Sequence, residues 1–87
     1  MLSTKVYIEA DAEGNTLFTV EIAEDWVLVF EKTYTTDYGA ASAILGYGDE
    51  FALVMTNGEC ECSVNRAGLE AIADGGAAFL GDVEDVY

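Results

Sequence analysis

Acidic residues at alternate positions are where this sequence could do chemistry: Glu9-x-Asp11-x-Glu13, Glu59-x-Glu61 and Asp82-x-Glu84. On an extended strand, residues i and i+2 project from one face about 6.6 Å apart. One DNA strand carries a phosphate about every 3.4 Å of axis, so alternate carboxylates supply about one charge for every two phosphates. Such a ladder can occupy the Lys and Arg side chains with which a basic protein holds nucleic acid, and carboxylates accept arginine bidentately. Glu21 falls on the same outer face of the neighbouring strand pattern, across from Tyr7. The partner-binding set read from the sequence is therefore Glu9, Asp11, Glu13, Glu21, Glu59 and Glu61, with Tyr7 as an aromatic anchor. The plain alternative is a solvated outer face, because charge runs are usually solvated.

Other chemistry lacks its parts. The chain has no histidine, which removes the usual general base, the Ser-His and Cys-His pairs and the commonest metal ligand. The expectation is a protein without catalytic residues, metal or cofactor. Cys60-Glu61-Cys62 offers two thiolates where a closed zinc site needs about four ligands, so both cysteines read as small core residues. Side chains two apart on a strand point the same way, which suits free thiols better than a disulfide. Asp11 to Asn15 has a faint likeness to a calcium loop, but Ile22 stands where the closing carboxylate belongs, and a hairpin turn is the better reading. Gly46-Tyr47-Gly48 is followed by Asp49 and Glu50, whose carboxylates would repel phosphate.

The charge balance sets the partner's sign. Seventeen Asp and Glu stand against three cations, Lys5, Lys32 and Arg66, a formal net charge of −14. Such a surface does not bind nucleic-acid phosphates or anionic membranes, which require clustered Lys and Arg. Apolar residues form 52% of the 87, enough to fold one domain despite the repulsion. The N-terminus has no signal-peptide pattern and no apolar run reaches the roughly 20 residues of a membrane helix, so the expected location is the cytoplasm, that of the host if the chain is phage-encoded.

These residues must be positioned by a small number of elements. Alternation predicts strands over Lys5 to Ala12 and Thr16 to Ile22, joined by a three-residue loop that pairs Ala12 with Thr16 and Ile8 with Val20. Trp26 to Lys32 predicts a third strand after a polar turn at 23–25. Asp37 is placed as the cap of a helix to about Leu45, weakened by Gly39. Asn57-Gly58 predicts a tight hairpin pairing Met55 with Cys60, Leu53 with Cys62 and Phe51 with Val64. Asn65 caps a second helix, Arg66 to Asp74, and an acidic tail follows at 81–87.

The expected fold is a single α+β domain, β-β-β-α-β-β-α, with a mainly antiparallel five-stranded sheet and two helices on one face. Its expected core is Val6, Ile8, Phe18, Val20, Ile22, Trp26, Leu28, Phe30, Ile44, Phe51, Leu53, Met55, Cys60, Cys62, Val64, Leu69 and Ile72. In size and charge the chain resembles the small acidic inhibitors made by phages, such as anti-CRISPR proteins and uracil-DNA glycosylase inhibitors. That likeness is compositional, and no residue roles follow from it. The function expected is an acidic inhibitor or DNA mimic whose partner is a basic, nucleic-acid-handling protein. An immunity or interaction module, or a housekeeping domain of a salt-loving organism, are the competing classes.

Overall fold

The alternation near the N-terminus forms an antiparallel hairpin, β1 (Leu2–Ala10) and β2 (Thr16–Glu24). The computed structural model describes residues 2–56 and 59–79, the side chains of 59–61 excepted. The faces are as expected, but the register lies two residues away: Val6 pairs with Val20, Ile8 with Phe18 and Ala10 with Thr16. The cause is Asp11. Its carboxylate accepts from the backbone N–H of Glu13 at 2.9 Å and of Asn15 at 2.8 Å, and from the Asn15 side-chain amide at 3.3 Å. The Asp11 N–H donates to the Asn15 carbonyl at 2.9 Å, and Gly14 takes φ +86°. A side chain that can satisfy turn donors competes with further strand pairing, and here it closes a five-residue loop over 11–15.

The second turn is made differently. β3 (Val27–Tyr34) pairs antiparallel with β2, and Glu24 lies opposite Val27. Only Asp25 and Trp26 remain as the turn, at φ +51° and +73°. Two central residues at positive φ define the type I′ geometry that matches strand twist in two-residue hairpins. Trp26 is thus not the first core residue of a strand but a turn residue, 99% exposed. A bulge follows: Ile22 pairs with Phe30 but Ala23 with Leu28, leaving Val29 extra. It transfers Leu28 from the expected core face to the outer face, where it is exposed.

Helix α1 (Asp37–Tyr47) is capped by Thr36 rather than Asp37; the Thr36 hydroxyl accepts from the Gly39 N–H at 3.2 Å. Gly39 suits that cap, since a Cβ there would come within 2.8 Å of Thr36 Oγ1. Gly48, at φ +106°, ends the helix by donating to the Ile44 and Leu45 carbonyls. β4 (Ala52–Thr56) and β5 (Glu59–Val64) pair antiparallel, and α2 (Arg66–Ala73) is capped by Asn65 as expected, with the Gly68 N–H at 3.0 Å. The Asn57-Gly58 turn itself lies outside the described residues. Thr56 pairs with Glu59 and Met55 with Cys60, but a bulge then sets Val54 opposite Cys62 and Ala52 opposite Val64.

The sheet is mixed, not mainly antiparallel. Its order is β3-β2-β1-β4-β5, and β4 runs parallel to β1. The reason is α1. A helix of 11 residues advances about 16 Å, so it returns the chain along the sheet and starts β4 at the end where β1 starts.

Both helices serve one face. Val6, Val20, Ile22, Val54 and Val64 on the sheet meet Ala40, Ala41 and Ile44 of α1 and Leu69 and Ile72 of α2, all fully buried. Each large aliphatic side chain so buried contributes about 1.5–3 kcal/mol. The β4–β5 bulge decides the rest of the core. With Val54 and Ala52 inward, Leu53 and Met55 take the opposite face and are only partly covered, and Phe51 precedes β4 and is exposed. Cys62 is core as expected, its thiol donating to the Phe79 carbonyl at 3.6 Å, while the Cys60 side chain lies outside the described residues. Phe79, buried and tilted against Phe18, completes a core that strand alternation did not announce. The buried Asp49 carboxylate accepts from the Thr4 hydroxyl and from the N–H groups of Glu50 and Phe51, fastening the α1–β4 connection to β1.

Candidate functional site

With the core gathered on one face, the outer face of the sheet has no layer over it among the described residues. It presents Lys5, Tyr7 and Glu9 from β1, Leu17, Thr19 and Glu21 from β2, and Glu31 and Thr33 from β3. Glu21 is its electrostatic centre. Across one ladder it faces Lys5 and across the other Glu31. The Tyr7 phenol lies diagonally across and donates to Glu21; partial burial, and then the Glu21 charge, raise its pKa. The hydrogen bond with Glu21, then burial and repulsion by Glu21, hold Glu31 above the ordinary carboxylate range. Two carboxylates share that bond only when one is protonated; when both are ionised, their like charges face each other across this stretch of β2 and β3.

The sequence-derived acidic set is divided by this architecture. Tyr7 and Glu21 come together on the outer face. Glu9 is exposed on the same face, toward the far end of β1. Asp11 and Glu13 are not on a strand, so the ladder Glu9-x-Asp11-x-Glu13 bends into the turn after Ala10. The Asp11 carboxylate is engaged by that turn, and its bonds with Asn15 above all lower its pKa. Glu59 and Glu61 lie in β5, at the opposite edge of the sheet from β3, and the bulge interrupts their alternation; their side chains are outside the described residues. The parallel pairing of β1 and β4 does put Glu9, Asp11, Glu13 and Glu59 at one end of the sheet. Asp82 and Glu84 lie outside the described residues.

The opposite end holds a groove of which the sequence singled out only Glu21. On the outer face, this groove of about 640 Å³ runs between the starts of β1 and β3. Its apolar residues are Ala23, Trp26 and Leu28, and its charged ones are Lys5, Glu21 and Asp25. Val27 beside it is 64% exposed and Phe51, at the same end of the sheet, 59%. Trp26 adds almost nothing to the packing of the fold. A non-glycine residue in the left-handed region costs about 1–3 kcal/mol unless its surroundings compensate, and an indole exposed to water recovers nothing by burial. The signal for it was present in the sequence as Asp25-Trp26 between two alternating runs, but a tryptophan is read as core before it is read as a turn.

The remaining cations lie apart from this groove. Arg66 on α2 is held by Glu70 at 3.0 Å and Glu50 at 3.4 Å, which raise its pKa, and Lys32 sits over the Tyr34 ring at 5.2 Å. No helix among the described residues is long and apolar enough to cross a membrane. No known family model matches the chain, and neither the curated proteins nor the solved structures compared with it include a match.

Proposed function

We propose that this protein is an acidic inhibitor that occupies the nucleic-acid-binding surface of a basic partner protein, a DNA mimic of the kind phages direct against host defences such as CRISPR complexes. The observation that carries the reading is the outer face of the sheet, uncovered among the described residues, where the facing carboxyl groups of Glu21 and Glu31 adjoin an exposed apolar stretch, Trp26 to Leu28. The net charge of −14 gives long-range attraction to a cationic surface. Exposed aromatic and aliphatic groups give the short-range anchors that charge lacks. Acidity serving only solvation in salt would not call for an exposed tryptophan in a strained turn.

The partner is to be isolated by affinity capture at low and high salt and identified by mass spectrometry. Labelled DNA bound to that partner is then titrated with the protein. Displacement of DNA, reversed by excess DNA, is the expected result. A stable ternary complex with unchanged DNA affinity would leave an acidic binding module, such as an immunity protein, in place of a mimic.

A further inference from the structure

We infer that the groove between Trp26 and Glu21 is the anchor site for an arginine side chain of that basic partner. The inference rests on the partner reading above and adds where, and through which side chain, docking occurs. Three independent features converge. Trp26 is 99% exposed and held at φ +73°, a conformation kept at a cost to the fold. The groove beside it is apolar through Ala23 and Leu28 yet carries Glu21 and Asp25. The chain as a whole is strongly anionic, so complementarity selects a cationic occupant and disfavours a second copy of itself.

Arginine fits this chemistry better than lysine. Its guanidinium plane stacks on an indole face and donates bidentately to a carboxylate, whereas an ammonium is a compact, strongly hydrated point charge. Its methylene stem suits the Leu28 and Ala23 surface. Lys5 shares the groove and faces Glu21 across the ladder, so it offsets part of the attraction and sets a threshold that weakly cationic surfaces do not pass.

Trp26 is the chain's only tryptophan, so its emission reports the groove directly. The probe is acetylated tetra-arginine amide, compared with tetra-lysine amide at an ionic strength of about 0.15 M, where unspecific attraction is screened beyond about 8 Å. The expected result is a saturable change in Trp26 emission and affinity for the arginine peptide about threefold or more above that for lysine. By calorimetry, Trp26→Gly is expected to weaken arginine-peptide binding about tenfold. It does so without unfolding, because Asp followed by glycine is the preferred pair for this turn. Glu21→Gln is expected to weaken binding more than the charge-matched Asp74→Asn at the C-terminal cap of α2, and Lys5→Gln to strengthen it.

Equal affinity for both peptides, no binding of either, or equal effects of Glu21→Gln and Asp74→Asn would overturn the assignment. The same variants are applied to the captured partner. Undiminished capture by folded Trp26→Gly and Leu28→Ser would overturn the groove while the basic-partner reading stands. That reading fails separately if the wild-type protein captures no basic protein at low salt.

Discussion

The two turns of the β1-β2-β3 meander make the same reversal by opposite means. At 11–15 the loop is long and supplied from within: one carboxylate gathers three donors, and Gly14 takes the left-handed position. At 25–26 the turn is only two residues long, has both of them at positive φ without a glycine, and leaves an indole in water. The first turn is built for stability and holds its acid in place. The second gives up stability and displays its aromatic group. Carboxylates alone therefore do not mark the site in a chain with seventeen of them; a local cost without a local return marks it better.

Substitution at the glycine of the first turn should have the largest effect on stability. Gly14→Ala forces a Cβ into the left-handed region, where no neighbouring atom lies near enough to compensate by packing. It should lower stability by about 1–2 kcal/mol, read as a shift of the urea midpoint. The second turn should respond with the opposite sign. Trp26→Gly relieves strain and should raise stability by about 1 kcal/mol in the same assay. A loss there would mean that the indole supports the fold, and the contrast between the turns would collapse.

Smaller effects follow from the acids. Asp11→Ala should destabilise the protein at neutral pH. Because the folded-state pKa of Asp11 lies below its ordinary value of 3.8, its contribution is present above that value and fades as pH falls through the lowered one. Thermal melts of wild type and variant should therefore converge in acid. Glu31 behaves in reverse. Its folded-state pKa lies above the ordinary 4.5, so the ionised form opposes folding and acidification through that raised value relieves the repulsion. Glu31→Gln should give a slight gain at neutral pH that disappears in acid. A pH-independent difference in either pair of melts would show that packing, not charge, is responsible.

Much of the fold was legible where two signals agreed. Asn65 as a cap with Leu69 and Ile72 behind it gave α2, and the alternation of Val6, Val20 and Ile22 gave the inner face of β1 and β2. What escaped were one-residue events that alternation cannot register. The bulge at Val29 moved Leu28 outward, and with the bulge between Val54 and Met55 the core takes Ala52 and Val54 in place of Phe51, Leu53 and Met55. Parallel pairing was implicit in a helix between β3 and β4, since parallel strands need such a crossover. Of the candidate site, Tyr7 and Glu21 were placed beside each other correctly as to face. The contribution of Trp26 was hidden because hydrophobicity argued for burial while Asp25 argued for a turn.

The parallel partnership of β1 and β4 has a consequence for how the chain comes into being. β1 leaves the ribosome before β4, yet Lys5 waits for Leu53, more than half of the 87 residues away, before its second edge is covered. Until then the nascent meander exposes two unpaired edges, β1 and β3, each a template for joining another copy. Pairing over that sequence distance is the slow part of folding. During the delay, mutual repulsion between acidic nascent chains keeps those edges apart, so the charge serves as the protein's own safeguard against aggregation.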